Sequence, residues 1–202
     1  MAKISRANGI RSRNAILDRS LVLAAAGGLH TATIGALADS LGMSKSGVFA
    51  HFGSKDALDL ALIDAAAERF ARAVMEPAGM APPGIARLAA LSEGLLAFVS
   101  QAPIDGSCLT PGHPAFGLDA APAARARLDA WQERWLQALA DSVTEAITRR
   151  EIAASAETAQ MVFELDGVLE AAGRAVRSRR PAEVVDRARK AVDRVLLASL
   201  AG

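Results

Sequence analysis

Residues 33–58, TIGALADSLGMSKSGVFAHFGSKDAL, decide how this chain folds. Ala36, Leu37 and Leu41 share one face of a short helix. Val48 and Phe52, four residues apart, share one face of the next, so the pair closes over a common core. Gly42 lies between them at the reversal, where its missing Cβ tolerates the left-handed backbone that ends a helix. Ser44 then offers a hydroxyl to cap the second helix, as Thr33 does for the first and Ser54 for the one that follows. Cap, turn and cap in this order make a helix-turn-helix, a module that reads a DNA duplex with its second helix.

Toward the N-terminus, Ile16, Leu17, Leu21 and Leu23 repeat near helical spacing over about residues 13–26, and Gly27 and Gly28 supply the stop. The first ten residues are polar and aperiodic, which predicts a flexible arm. In the other direction a fourth helix runs from Ser54 to about Met75 and ends at the breakers Pro77, Gly79, Pro82, Pro83 and Gly84. Helical spacing returns over about 85–101. Residues 102–122, rich in Pro and Gly, read as a loop. Leu128, Trp131, Trp135, Leu139, Val143 and Ile147 mark a long amphipathic helix over about 123–150, and two more helices follow, at about 156–179 and 182–200. The expected fold is all-α with about nine helices, divided into residues 1–55, the helix-turn-helix unit with its arm, and residues 56–202, a second helical domain.

The last two helices carry more apolar surface than one core needs. Phe163, Gly167, Ala171 and Arg174 form a second face beside the main stripe of the first of them. Two faces imply two partners, so a four-helix dimer seam is expected from Met161, Leu165, Val168, Ala171 and Ala172 with Val185, Ala188, Val192 and Val195.

Composition agrees with helices: 51% of the 202 residues are apolar, only 4% are aromatic, and Tyr is missing. No apolar run reaches the roughly 18 residues of a membrane span, and the basic, polar N-terminus lacks the apolar stretch of a signal peptide. A cytoplasmic chain with no membrane partner is therefore expected. The single cysteine, Cys108, excludes an internal disulfide and a multi-cysteine metal site. With no Gly-rich phosphate loop or cluster of metal ligands in view, neither a metal nor a cofactor is expected. The formal charge of +1 conceals an asymmetry. Residues 1–56 hold seven cations against three acids, net +4, and the remaining residues net −3. A basic end on a mildly acidic body suits phosphate contact by one part only.

The run from Thr33 to Leu58, above all SKSGVFAHFGSKDAL at residues 44–58, resembles the N-terminal pattern of the tetracycline-repressor (TetR) family of transcriptional regulators. The likeness covers about residues 11–60; beyond it only the number and order of helices are similar. It implies a regulator, with a repressor favoured, that binds a palindromic double-stranded DNA operator as a homodimer and is released by a small-molecule effector. Ser44–His51 is then the recognition helix. Lys45 is its one long cation, able to donate to guanine O6 or N7 or to a phosphate, and Ser46 and Gly47 allow close approach. Thr33 would meet a phosphate at the start of its helix. Phe49 stands where the family usually has Tyr, so the phenol's phosphate bond is missing while its ring can still pack on sugar or a thymine methyl. His51 and Lys55 match family phosphate contacts. Arg11 and Arg13, placed before the first helix, reach phosphates or the minor groove, or serve only as solvated charge.

For the effector, Phe98, Cys108, His113, Phe116, Trp131, Trp135, Met161, Phe163 and Asp166 are the candidate pocket residues, apolar bulk with few polar groups. Trp131 and Trp135 are equally core residues of an amphipathic helix, and Asp166 is equally a partner for an arginine such as Arg174 across a dimer. An enzyme built on Cys108 and His113 is not expected, because no third group is positioned by a motif. A purely structural DNA binder would not need so large a second domain.

Overall fold

Hydroxyl caps and left-handed glycines set the first helix boundaries. The computed structural model describes residues 2–101, 109–113, 116, 120–176 and 180–200, with side chains from residue 8 onward. α1 spans Ala2–Gly27 and is followed by a 3-10 turn at Leu29–Thr31. α2 (Ile34–Leu41) is capped by Thr33, whose Oγ1 accepts from the Ala36 N–H at 3.0 Å. Gly42 takes φ 62° and ψ 31°, the left-handed turn the sequence asks for. α3 (Lys45–Phe52) is capped by Ser44, which accepts from the Gly47 N–H at 3.0 Å, and α4 begins at Lys55 under a Ser54 cap on the Ala57 N–H, also 3.0 Å. Further on come α5 (Ile85–Ser100), α6 (Pro122–Thr148), α7 (Thr158–Ala175) and α8 (Pro181–Ala198). The described residues thus hold eight α-helices, against about nine expected, and no strand, only an isolated bridge between Ile152 and Leu200.

Two hydrophobic clusters result. The small one unites Ile16 of α1, Leu37 and Ala38 of α2, Val48 of α3 and Leu58 of α4, with Leu41 and Phe52 packed on its edge. The large one fills the body formed by α4 to α8. At its centre lies Phe70 of α4, edge-on to Phe98 (5.7 Å between centroids), Trp131 (5.9 Å) and Trp135 (5.4 Å). α4 belongs to both clusters, and so does α1, through Ile16 in the small one and Leu21, Ala24 and Ala25 in the large one. Asp18 of α1 pairs with Arg69 of α4, and Asp64 of α4 with Arg127 of α6 at 2.9 Å.

Two expectations are corrected. Residues 2–10 are not aperiodic: α1 is continuous from Ala2, because Gly9 alone does not outweigh the helix formers on either side. The breakers do not end α4 at Met75 either. After Phe70 the helix widens into a π turn, Ala71–Met75, and one more α turn runs to Gly79 through Pro77. The π turn has already shifted the hydrogen-bond register, so the proline's missing N–H falls where the regular ladder is interrupted. Gly94 of α5 faces it, and a Cβ there would meet the Val74 backbone Cα at 3.5 Å. Among the described residues no helix is long and apolar enough to cross a membrane.

Candidate nucleic-acid interface and the effector body

α3 turns Val48 fully into the small core and leaves Ser44, Lys45, Ser46 and Phe49 exposed, the Phe49 ring at 50%. The Ser44 Oγ is held by the cap and lies 3.1 Å from the Ser46 Oγ, which fixes the leading turn. Lys45 extends back across α2, its Cε 3.6 Å from where a Cβ on Gly35 would sit. The one long cation of the recognition helix thus lies beside Gly35 of α2, at a distance where a Cβ would only touch it, a neighbourhood that nothing local in the sequence signals. Thr33 is exposed at the start of α2, and His51 is half-buried beside Phe52.

The other expected contacts stand differently. Arg11 and Arg13 lie within α1, not before it: Arg11 donates to Asn8, and the Arg13 guanidinium rests 5.1 Å from the centre of the Phe52 ring. Lys55 is drawn inward, its Nζ donating to the Leu29 carbonyl at 3.1 Å and pairing with Asp59. The side chain braces α4 against the 3-10 turn, so its charge is largely answered inside the chain.

In the body, the expected effector residues are divided between the large core and two openings lined by described residues. Cys108 lies outside the described residues. Phe98, Phe116, Trp131, Trp135 and Met161 are buried in the large core, and His113 is buried beside Phe116. A cleft of about 360 Å³ between α4 and α6 is lined by Phe70, Ala71, Met75, Trp131 and Trp135. A larger groove of about 850 Å³ runs between α6 and α7 and holds Phe163 and Asp166. Within the chain, among the described residues, Asp166 makes no ion pair with an arginine: its Oδ1 accepts from the Trp135 Nε1–H at 2.8 Å, while Arg174 bonds Glu170 at 3.1 Å. Burial pushes the Asp166 carboxyl above its ordinary range, against the pull of Trp135 and Arg174. Glu170 is raised as well, by burial and then by Asp166, although Arg174 and the Gly112 N–H hold it.

The dimer stripe is corrected in part, at the residues that the chain's own core takes up. Met161, Leu165, Ala172, Ala188 and Val192 are buried in the chain's own core, and Val168, Val185 and Val195 pack against it half-buried, because α5 and α6 cover that side. The face left open on α7 is the second one: Phe163 at 75% exposure, Gly167 with nothing within 4 Å of its absent Cβ, and Ala171.

Comparison with known proteins agrees with this geometry at both ends of the chain. Residues 16–62 match the model of the bacterial regulatory proteins of the tetR family, and residues 84–192, more than half of the chain, match the tetracyclin repressor-like C-terminal domain. No curated protein matches in sequence. Among solved structures, a TetR transcriptional regulator from Chloroflexus aurantiacus superposes with a TM-score of 0.84 at 20% identity, over 96% of this chain and 98% of that one. A TetR-family regulator from Cytophaga hutchinsonii gives 0.72 at 16% identity over 96% and 98%. AibR, solved with isovaleryl coenzyme A and operator DNA, gives 0.70 at 16% over 88% and 95%. At these identities the likeness is one of fold. With a capped helix-turn-helix, an exposed recognition helix and both family domains matched, the chain belongs to the TetR family of DNA-binding transcriptional regulators.

Proposed function

We propose that this regulator is a repressor that grips a palindromic operator as a homodimer and lets go when a small molecule occupies its C-terminal body. Residues 1–55 form the reading unit and residues 56–202 the unit that senses and dimerises. The observation that carries this reading is the exposed leading turn of α3 over a buried Val48, a rigid ridge with Lys45 foremost and Phe49 beside it. Half-sites one helical turn apart, about 34–36 Å, require two such ridges held at fixed separation. The open strip Phe163, Gly167 and Ala171 on α7 supports a second copy there, since small residues four apart let helices approach closely. Thr33 and His51 complete the phosphate contacts, and Arg11 on α1 adds a flanking cation. Because α4 packs in both cores, a body that shifts α4 changes the spacing of the ridges and loses contacts in both half-sites at once. AibR, by its description, takes both isovaleryl coenzyme A and operator DNA, which supports two sites in this fold.

A gel-shift comparing one operator fragment, selected from random-sequence DNA, with the unselected pool tests the reading. Lys45→Ala is expected to weaken specific binding by about 1–3 kcal/mol if the lysine reads a base. Equal loss on both DNAs places it on phosphate, and equal binding of the parent protein to all DNA sinks the repressor in favour of a structural binder. Ala171→Arg is expected to give a monomer of unchanged helicity by sedimentation and circular dichroism; an intact dimer removes the α7 face from the interface.

A further inference from the structure

The groove between α6 and α7 has an unusual lining. Its walls are apolar, from Leu136, Ala140, Val162 and Phe163, yet its charged groups are three carboxylates, Asp129, Glu133 and Asp166, with no lysine or arginine among the described lining residues. Asp166 is half-buried, has no ion pair within 4 Å among the described residues, and receives a single described hydrogen bond, from Trp135. Gln132 borders the same groove with an Oε1 atom that is buried and has no hydrogen-bond partner among the described residues. A carboxylate withdrawn from water without a cation, next to an unmet acceptor, is costly, and each is relieved by a donor that carries positive charge.

We propose that this groove binds a small apolar ammonium ion, an alkyl or arylalkyl amine whose charged head meets Asp166 and whose hydrocarbon lies against Leu136, Ala140 and Val162. An anion of the same shape meets three like charges. A neutral hydrocarbon buries Asp166 further and leaves its charge unanswered, so the class of ligand follows from the lining. The raised carboxyl of Asp166 is in keeping with this, since burial is its first cause and Arg174 only partly offsets it. The site also reaches the DNA-reading half. Asp166 is bonded to Trp135, the Trp135 ring stands edge-on to Phe70 at 5.4 Å, and Phe70 is the last residue of α4 before its π turn. A cation that redirects Asp166 therefore alters a contact two steps from α4. This assignment rests on the effector reading above and names the chemistry of its ligand.

The test uses the full-length protein and three probes of one chain length below their aggregation concentrations: decylammonium, decanoate and decanol. The two tryptophans, Trp131 and Trp135, report binding by fluorescence. Decylammonium is expected to saturate the signal with an affinity at least about tenfold above either of the others, and Asp166→Asn to remove at least about tenfold of it. Should that variant fold poorly, Ala159→Arg, at an exposed position on the groove wall, supplies a cation in place and is expected to abolish amine binding. Equal binding of the three probes, no binding of decylammonium, or unchanged affinity in both variants overturns the proposal. Dissociation of the dimer by Asp166→Asn with no amine bound also overturns it, in favour of a cation from the second copy. Operator release separates the two readings. If decylammonium binds through Asp166 and the operator stays bound, the site stands and the effector role falls. If decanoate or decanol releases the operator, the effector role stands and the amine class falls.

Discussion

Phe49 on α3 and Phe163 on α7 both stand out in solvent, yet the helices beneath them are held in different ways. α3 has eight residues, a serine cap at one end, left-handed glycines at Gly42 and Gly53, and one buried anchor, Val48. α7 has 18 residues, no side-chain cap, and a full row of buried anchors in Met161, Leu165, Leu169 and Ala172. An isolated helix of α3's length is not stable, so its shape depends on the caps and on a core of five side chains. α7 is stabilised by burial along its length and its ends matter less. A reading head that must keep its outer face free for DNA cannot bury much of itself. The body has no such restriction.

The largest test of this contrast removes one anchor from each core. Leu37→Ala and Leu165→Ala both truncate fully buried leucines, and each is expected to cost about 2–5 kcal/mol. The consequences should separate. Leu37→Ala is expected to abolish operator binding at temperatures where far-ultraviolet dichroism still reports a folded body, because the small core has few other contacts to share the loss. Leu165→Ala should lower the main melting transition. A single transition, shifted equally by both, would mean that α1 and α4 together couple the clusters too tightly for either to open alone.

A smaller effect sharpens the same point. Ser44→Ala deletes the oxygen that accepts from the Gly47 N–H and is expected to cost about 0.5–2 kcal/mol, felt locally in α3. Amide exchange at Gly47 should accelerate while amides of α7 keep their protection. Unchanged exchange at Gly47 would show that packing of Val48 alone holds the turn.

The same contrast explains what could be read from residues alone. The boundaries of α2 and α3 were legible because Thr33, Gly42, Ser44 and Ser54 each do one local job within a few residues of chain. α7 offered two apolar stripes of similar quality, and which one turns inward is decided by α5, α6 and α8, which no local pattern encodes. The stripe holding Met161 and Leu165 was therefore assigned to a dimer seam although it faces the chain's own core. The π turn at 71–75 has no signature in ARAVM; it forms opposite Gly94, from another helix. Lys45 could be named from its place in the motif, but its lie beside Gly35 of α2 appears only when α2 and α3 are packed. The bond between Trp135 and Asp166 joins residues 31 apart, so the groove could not be assembled from spacing.

Asp166 also gives the smallest prediction, one that turns on sign. Its carboxyl is raised above the ordinary aspartate value of 3.8, first by burial, while the Trp135 N–H and then the Arg174 charge pull it back. Glu170 shares the neighbourhood and is itself raised in part by Asp166. Between 3.8 and the raised value the folded chain binds more protons at this site than the unfolded chain, so stability falls as pH rises through that window and the cost is fully present above it. Asp166→Asn keeps an oxygen for Trp135 and carries no charge. It is expected to melt above the parent protein at pH 7, with the gap closing as the solution is acidified and Asp166 takes up its proton. Relief of Glu170 adds to the gain, whereas the loss of attraction to Arg174 subtracts from it. A variant that melts below the parent at pH 7 would mean that Arg174 and the charge-strengthened Trp135 bond outweigh burial. The groove would then already satisfy its carboxylate, and α7 would have no need of a cation from outside.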